Sequence, residues 1–158
     1  MQPHDLLETA KALHQAVRSR GRPKQAYLHR AVSTAYYAVF HALCRMCADS
    51  LIGSTHAARR QPAWLQTYRA LEHGYCKNQC KNGLIKDAFP QEVRHFCEAF
   101  LLLQEKRHLA DYDPTMHFAL SEVQEDIALA ERAIRNLQSL RPEDKKAFAI
   151  WVLLKQRP

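Results

Sequence analysis

The chain has 158 residues, a formal charge of +7 and a pI of about 9.3. That length suits one domain able to bury its own core, and four glycines against frequent Ala and Leu favour helix, where glycine loses the most conformational freedom. No stretch alternates apolar and polar residues as a half-buried strand does. The most apolar run, AFAIWVLL, is far shorter than the ~20 residues a bilayer span needs.

The opening segment MQPHDLLETAKALHQAV carries polar and charged groups throughout and does not read as a secretory signal. Its periodicity predicts a helix over Asp5–Arg18, with Leu6, Leu7, Ala10, Leu13 and Val17 facing inward and Gly21 and Pro23 as stops. Lys24 to Ile52 holds no Gly or Pro. Its apolar residues, from Val32 through Tyr36 and Phe40 to Cys47, cover more than half the helix circumference, which predicts a central helix packed on several sides. The remaining stripe is Arg30, Thr34, Tyr37, His41 and Arg45, aligned by spacings of three and four.

After Ile52 the pattern weakens. GSTHAARRQPAW reads as a loop, a short helix is expected around Trp64–Glu72, and HGYCKNQCKNG has Gly at both ends. Gln91 to Asp113 is again a long helix. Asp113-Pro114 has the form of an N-cap followed by proline, predicting a helix from there to Leu140 with Met116, Leu120, Val123, Ile127, Ala130, Ile134 and Leu137 inward. RPEDKK starts a last helix, Pro142 in its first turn and Glu143 and Asp144 complementing the dipole. The expected fold is all-α, an antiparallel bundle of five to six helices, with residues 1–140 as the bundle and 141–158 as a further helix packed on it.

Charge is uneven. Residues 1–60 hold nine Lys/Arg against three acids, densest in RSRGRPK. Such a field favours polyanions, or serves only to solvate the surface. Five cysteines, an odd number, fit free thiols in a reducing cytoplasm.

The chemically dense stretch is EKRHLADYDP. On its helix the apolar stripe Val93, Phe96, Cys97 and Phe100 continues in angle to Gln104, Arg107 and Asp111. A core-facing side that ends in an amide, a guanidinium and a carboxylate is either a structural ion pair or the wall of a cleft, because an unpaired charge there is costly.

RAVSTAYYAVFHAL on the central helix, followed by RHLADYD at the end of a later one, resembles the HEPN superfamily, in particular its small single-domain prokaryotic branch; the likeness spans about residues 5–140. The resemblance implies an up-and-down helical bundle that dimerises, a cleft at the dimer interface, and work on RNA in toxin–antitoxin, phage-defence or RNA-processing settings, without a cofactor or metal. The family's ribonucleases pair an arginine with a histidine separated from it by four to six residues. Imidazole can move a proton near neutral pH while guanidinium holds the phosphorane charge. Arg107 fits the arginine, but Tyr112, Asp113 and Pro114 stand where the histidine would fall, and a phenol of pKa about 10 is a poor base.

Binding of RNA or a nucleotide is therefore the leading expectation, around Arg107, Asp111 and Tyr112, with His41 as a substitute proton-transfer group. Tyr37 and His108 would lie nearby, and Arg30, Arg45, Arg59 and Arg60 would meet phosphates. A ribonuclease toxin is the enzymatic alternative. A protein-interaction module, with a partner encoded nearby, is the third. Cys44-x-x-Cys47 and Cys76-x-x-x-Cys80, with His73, raise a zinc alternative. Against it, the first pair lies on an apolar helix face; the second, in a more open segment with Lys77 and Lys81 nearby, could serve as a local metal or redox spot.

Overall fold

The computed structural model describes residues 1–18, 21 and 24–157, Arg18 by its backbone only. Arg20, Arg22 and Pro23, parts of the basic segment and the expected helix stop, lie outside the described residues. Eight helices follow in order: α1 (Pro3–Arg18), α2 (Gln25–Leu51), α3 (Gln61–Arg69), α4 (His73–Lys81), α5 (Ile85–Ala88), α6 (Gln91–Tyr112), α7 (Leu120–Ser139) and α8 (Pro142–Leu153). The described residues form no strand. Gly21 beyond α1 has φ +62°, a left-handed conformation open to glycine.

Helix α2 is central. It packs against α1, α3, α6, α7 and α8, and the whole run Ala31–Tyr36 is buried, as are Val39, Phe40, Leu43 and Cys47. Phe96, Phe100 and Leu103 of α6 meet it from one side. Val123, Ile127, Ala130, Ile134 and Leu137 of α7 are buried at the spacing read from the sequence. Helix α8 begins with Pro142 in its first turn, buries Phe148, Ala149 and Val152, and contacts α2 and α4.

The structure departs from the sequence reading in the connections. Eight helical segments replace the expected five to six because 61–88 folds into three, not one. Cys76 and Cys80, read as open, are buried on the inner face of α4. The helix expected from Pro114 starts instead at Leu120. Asp113 Oδ1 accepts from the backbone N–H and hydroxyl of Thr115 at 2.8 and 2.7 Å, closing a turn rather than capping a helix. Side chains of α2 then hold the segment extended. Gln25 bonds both the N–H and the carbonyl of Phe118, and His29 reaches the carbonyls of Ala110 and Met116 at 2.7 and 2.9 Å. Met116 packs on the core from this connection rather than from α7.

One ion pair joins α6 to α7 below the surface. Lys106 Nζ lies 2.8 Å from Asp126 and 3.0 Å from Glu122. Asp126 is buried with Oδ2 unpartnered, and burial holds its carboxyl above the ordinary value despite Lys106. Such a pair is worth little against an apolar replacement but much once one half is removed. Lys106→Met is therefore expected to cost about 3–5 kcal/mol in urea unfolding, by stranding Asp126. Lys106→Met/Asp126→Leu should recover most of that loss, and failure to recover would show that packing, not charge, is lost.

Candidate functional site

Arg107 sits one turn before the end of α6, and the side chains around it come from α2 and α4. Its guanidinium carbon lies 5.2 Å from the centroid of the Tyr36 ring and 5.8 Å from that of Tyr37. The side chain is only 14% exposed. The nearest carboxylate, Asp111 Oδ2, is 3.7 Å away, long for a hydrogen bond, and Nε has no partner. Two tyrosine rings thus flank a cation whose Nε is left without a partner.

Tyr36 is fully buried, so its hydroxyl needs a partner. It finds His73 Nδ1, at 2.6 Å, at the first turn of α4. The His73 ring stacks on Phe40, centroids 3.8 Å apart and planes 12° from parallel, and meets Tyr37 edge-on at 6.3 Å. Gln104 Nε2 donates to the His73 carbonyl at 3.3 Å, while Gln104 Oε1 is buried without a partner. Burial lifts the Tyr36 phenol far above its ordinary value, against the opposing charge and hydrogen bonding of Arg107. Burial, then Arg107, then His41 hold His73 below the usual histidine value, so the ring is neutral at pH 7.

His41 occupies the next position along the α2 stripe. Its Nδ1 meets the Tyr68 hydroxyl at 2.7 Å. His41, Tyr68 and Trp64 stack in a row, at 5.9 and 5.2 Å, and Arg59 lies 4.5 Å from the Trp64 ring. Burial, and then the chain's amino terminus, keep His41 below its usual value.

The structure thus brings Arg107, Tyr37, His73 and, through the Tyr37 ring, His41 together. Asp111 stands at the outer edge of the group. Tyr112 does not join it: five positions along α6 turn it about 140° from Arg107, and its 67% exposed ring packs on His108 instead. Arg30 and Arg60 are exposed and without an ion pair among the described residues. Arg45 and Arg59 both turn to Asp49, at 3.6 and 3.8 Å, which also accepts from the Trp64 indole; Arg45 further bonds Gln2.

Sequence reasoning missed Tyr36, Tyr68 and Trp64, and weighed His73 only as a zinc ligand. The signal for His73 was Tyr36 itself, a phenol on the buried face of a central helix. Trp64 and Tyr68, four apart, share one face of α3. Among the described residues no group of three His, Cys, Asp or Glu is disposed to hold a metal. All five cysteines are buried and free. Burial pushes Cys44 up to about 12 and Cys47 higher, so both stay protonated rather than becoming thiolate ligands. No helix of the described residues is long and apolar enough to cross a membrane. Compared with family models, curated proteins and solved structures, the chain matches none.

The two lowered histidines fix the sign of a pH effect. Their folded values lie below the ~6.5 of an unfolded chain, so their contribution is present above about pH 6.5 and is lost as pH falls through the folded values. The melting temperature is expected to fall between pH ~7.5 and ~5.5, before most carboxylates titrate. His73→Gln should flatten that slope, measured by circular dichroism; an unchanged slope would assign it elsewhere.

Proposed function

We propose that the chain is an HEPN-like protein, a homodimeric up-and-down bundle that binds RNA or a nucleotide at the Arg107 cluster, in a toxin–antitoxin or defence setting of the cytoplasm. The observation that carries this reading is the guanidinium held between Tyr36 and Tyr37 with Nε unpartnered and Asp111 only at 3.7 Å. A phosphate would offer acceptors to the terminal N–H groups of this guanidinium, whose contact with Asp111 is long. Tyr37, half-buried beside it, offers a ring to a base or sugar. Arg30 and Arg60, free of carboxylates, are available for further phosphates.

A second reading, a metal-independent ribonuclease, draws on His73 and His41, both neutral near pH 7 and both reached from Arg107 through ring contacts. Of the two, His41 would stand in for the histidine missing after Arg107, since the Tyr36 hydroxyl occupies His73 Nδ1.

Fluorescence anisotropy with labelled mixed-sequence RNA and with mononucleotides separates these readings. Binding should weaken steeply between 50 and 200 mM salt, by at least about tenfold for a few phosphate contacts. Arg107→Lys, which keeps the charge but loses the fork, should weaken it by a further ~tenfold with the melting temperature little changed. The same RNA incubated in EDTA reports cleavage: cut by wild type and spared by Arg107→Ala, it would establish the ribonuclease. No binding, with Arg107→Ala merely unstable, would make the cluster structural and favour the protein-interaction module.

A further inference from the structure

Helices α1, α2, α7 and α8 border an open groove of about 1300 Å³ whose lining includes neither Arg107 nor its tyrosines. Its floor is aliphatic: Met46 of α2 and Ile134 of α7 lie at the bottom, and Ile150 of α8, 45% exposed, forms one lip. Its rim carries Arg135, Lys145 and Lys146, none of which has an ion pair among the described residues. Three carboxylates also border the groove, and each is already engaged. Asp49 faces Arg45 and Arg59, Glu131 faces Lys11, and Glu143 meets Arg141 at 3.2 Å. The charge left over is therefore positive.

We propose that this groove is a docking site for an acidic amphipathic helix of a partner protein. The cationic rim selects against basic and neutral segments, and the aliphatic floor with a flexible methionine accepts Leu or Ile anchors at helical spacing. Size argues the same way: the groove exceeds the roughly 300–1000 Å³ of ordinary small-molecule sites and is a trough, not an enclosed cavity. RNA would answer to the cations but not to the floor. No Phe, Tyr or Trp lines the groove, and the His4 imidazole is a small platform, so bases would find little to stack on. The groove and the Arg107 cluster thus divide two kinds of anionic partner between two faces, and this inference stands whether or not the RNA reading does.

The test uses the full chain and a labelled peptide of about 18 residues, long enough to hold a helix, with Leu at i, i+3, i+4 and i+7 and Glu elsewhere. Scrambled and Lys-for-Glu versions serve as controls. The acidic helix should bind by anisotropy, and the two controls should not. Lys145→Glu/Lys146→Glu and, separately, Ile150→Asp should each weaken binding at least about tenfold, with melting unchanged because all three side chains reach solvent. Equal binding of all three peptides, no binding of the acidic helix, or indifference to both variants would overturn the proposal. So would two further results. Conversion of a dimer to a monomer by Ile150→Asp, seen in sedimentation, would assign the groove to a second copy of this chain. Stoichiometric displacement of the probe by myristate would assign it to an anionic amphiphile.

Discussion

Because α2 is covered by five other helices, polar groups on its buried faces must look to other elements for partners, although Ser33 Oγ has none. That constraint organises the molecule. Tyr36 reaches His73 on α4, Gln25 holds both backbone groups of Phe118, His29 spans the carbonyls of Ala110 and Met116, and Asp49 accepts from Trp64 on α3. Each such group left unmade in the interior would cost about 1–3 kcal/mol. Apolar burial draws the helices to α2, but these bonds set where the short elements lie along it. The Arg107 cluster is a product of the same requirement, since Tyr36 brings α4 to the face where α6 already presents its guanidinium.

Legibility in the sequence followed physical range. The long helices α1, α2, α6 and α7 are written in periodicities that each segment carries alone, and their inward faces could be read residue by residue, while α8 was legible in its first turn. The segment 61–88 could not be, because α3 and α4 have nine residues each and gain most of their stability from α2 and α6. Asp113-Pro114 misled for a related reason. Its local form is that of a helix start, while Gln25 and His29, some 80 to 90 residues earlier, hold the chain extended. In the candidate site, Arg107, Asp111, Tyr37 and His41 could be placed by helix angle and resemblance. His73 could not, since nothing in its neighbourhood refers to Tyr36.

Net charge proves a coarse guide to where an anion could bind. Of the basic residues crowded into the first sixty, Arg45 and Arg59 are occupied by one carboxylate, Asp49, and Arg59 also lies over Trp64. Their role in holding α3 against α2 competes with any role in phosphate contact. Arg30 and Arg60 have no ion pair among the described residues, nor do Arg135, Lys145 and Lys146 far along the chain. What a polyanion or an acidic helix would meet is set by unpaired cations such as these, not by the density of basic residues in the sequence.

The order of protons in the Arg107–Tyr36–His73 chain bears on whether the cluster favours binding or cleavage. A guanidinium can only donate. If His73 Nδ1 carried its proton and gave it to the Tyr36 oxygen, the phenol's own proton would need another acceptor, and the described residues offer it none. Burial raises the phenol so far that it keeps this proton. An orphaned buried hydroxyl costs about 1–3 kcal/mol, roughly a 5- to 150-fold bias at 25 °C. Tyr36 therefore donates to Nδ1, and neutral His73 carries its remaining proton on Nε2. In that tautomer neither nitrogen has a free lone pair to take a proton from a 2′-hydroxyl, so His73 adds a donor beside Arg107. Two donors and no base favour holding an anionic oxygen over moving a proton. Any cleavage would have to draw its base from His41, whose Nδ1 faces a Tyr68 hydroxyl free to donate or accept.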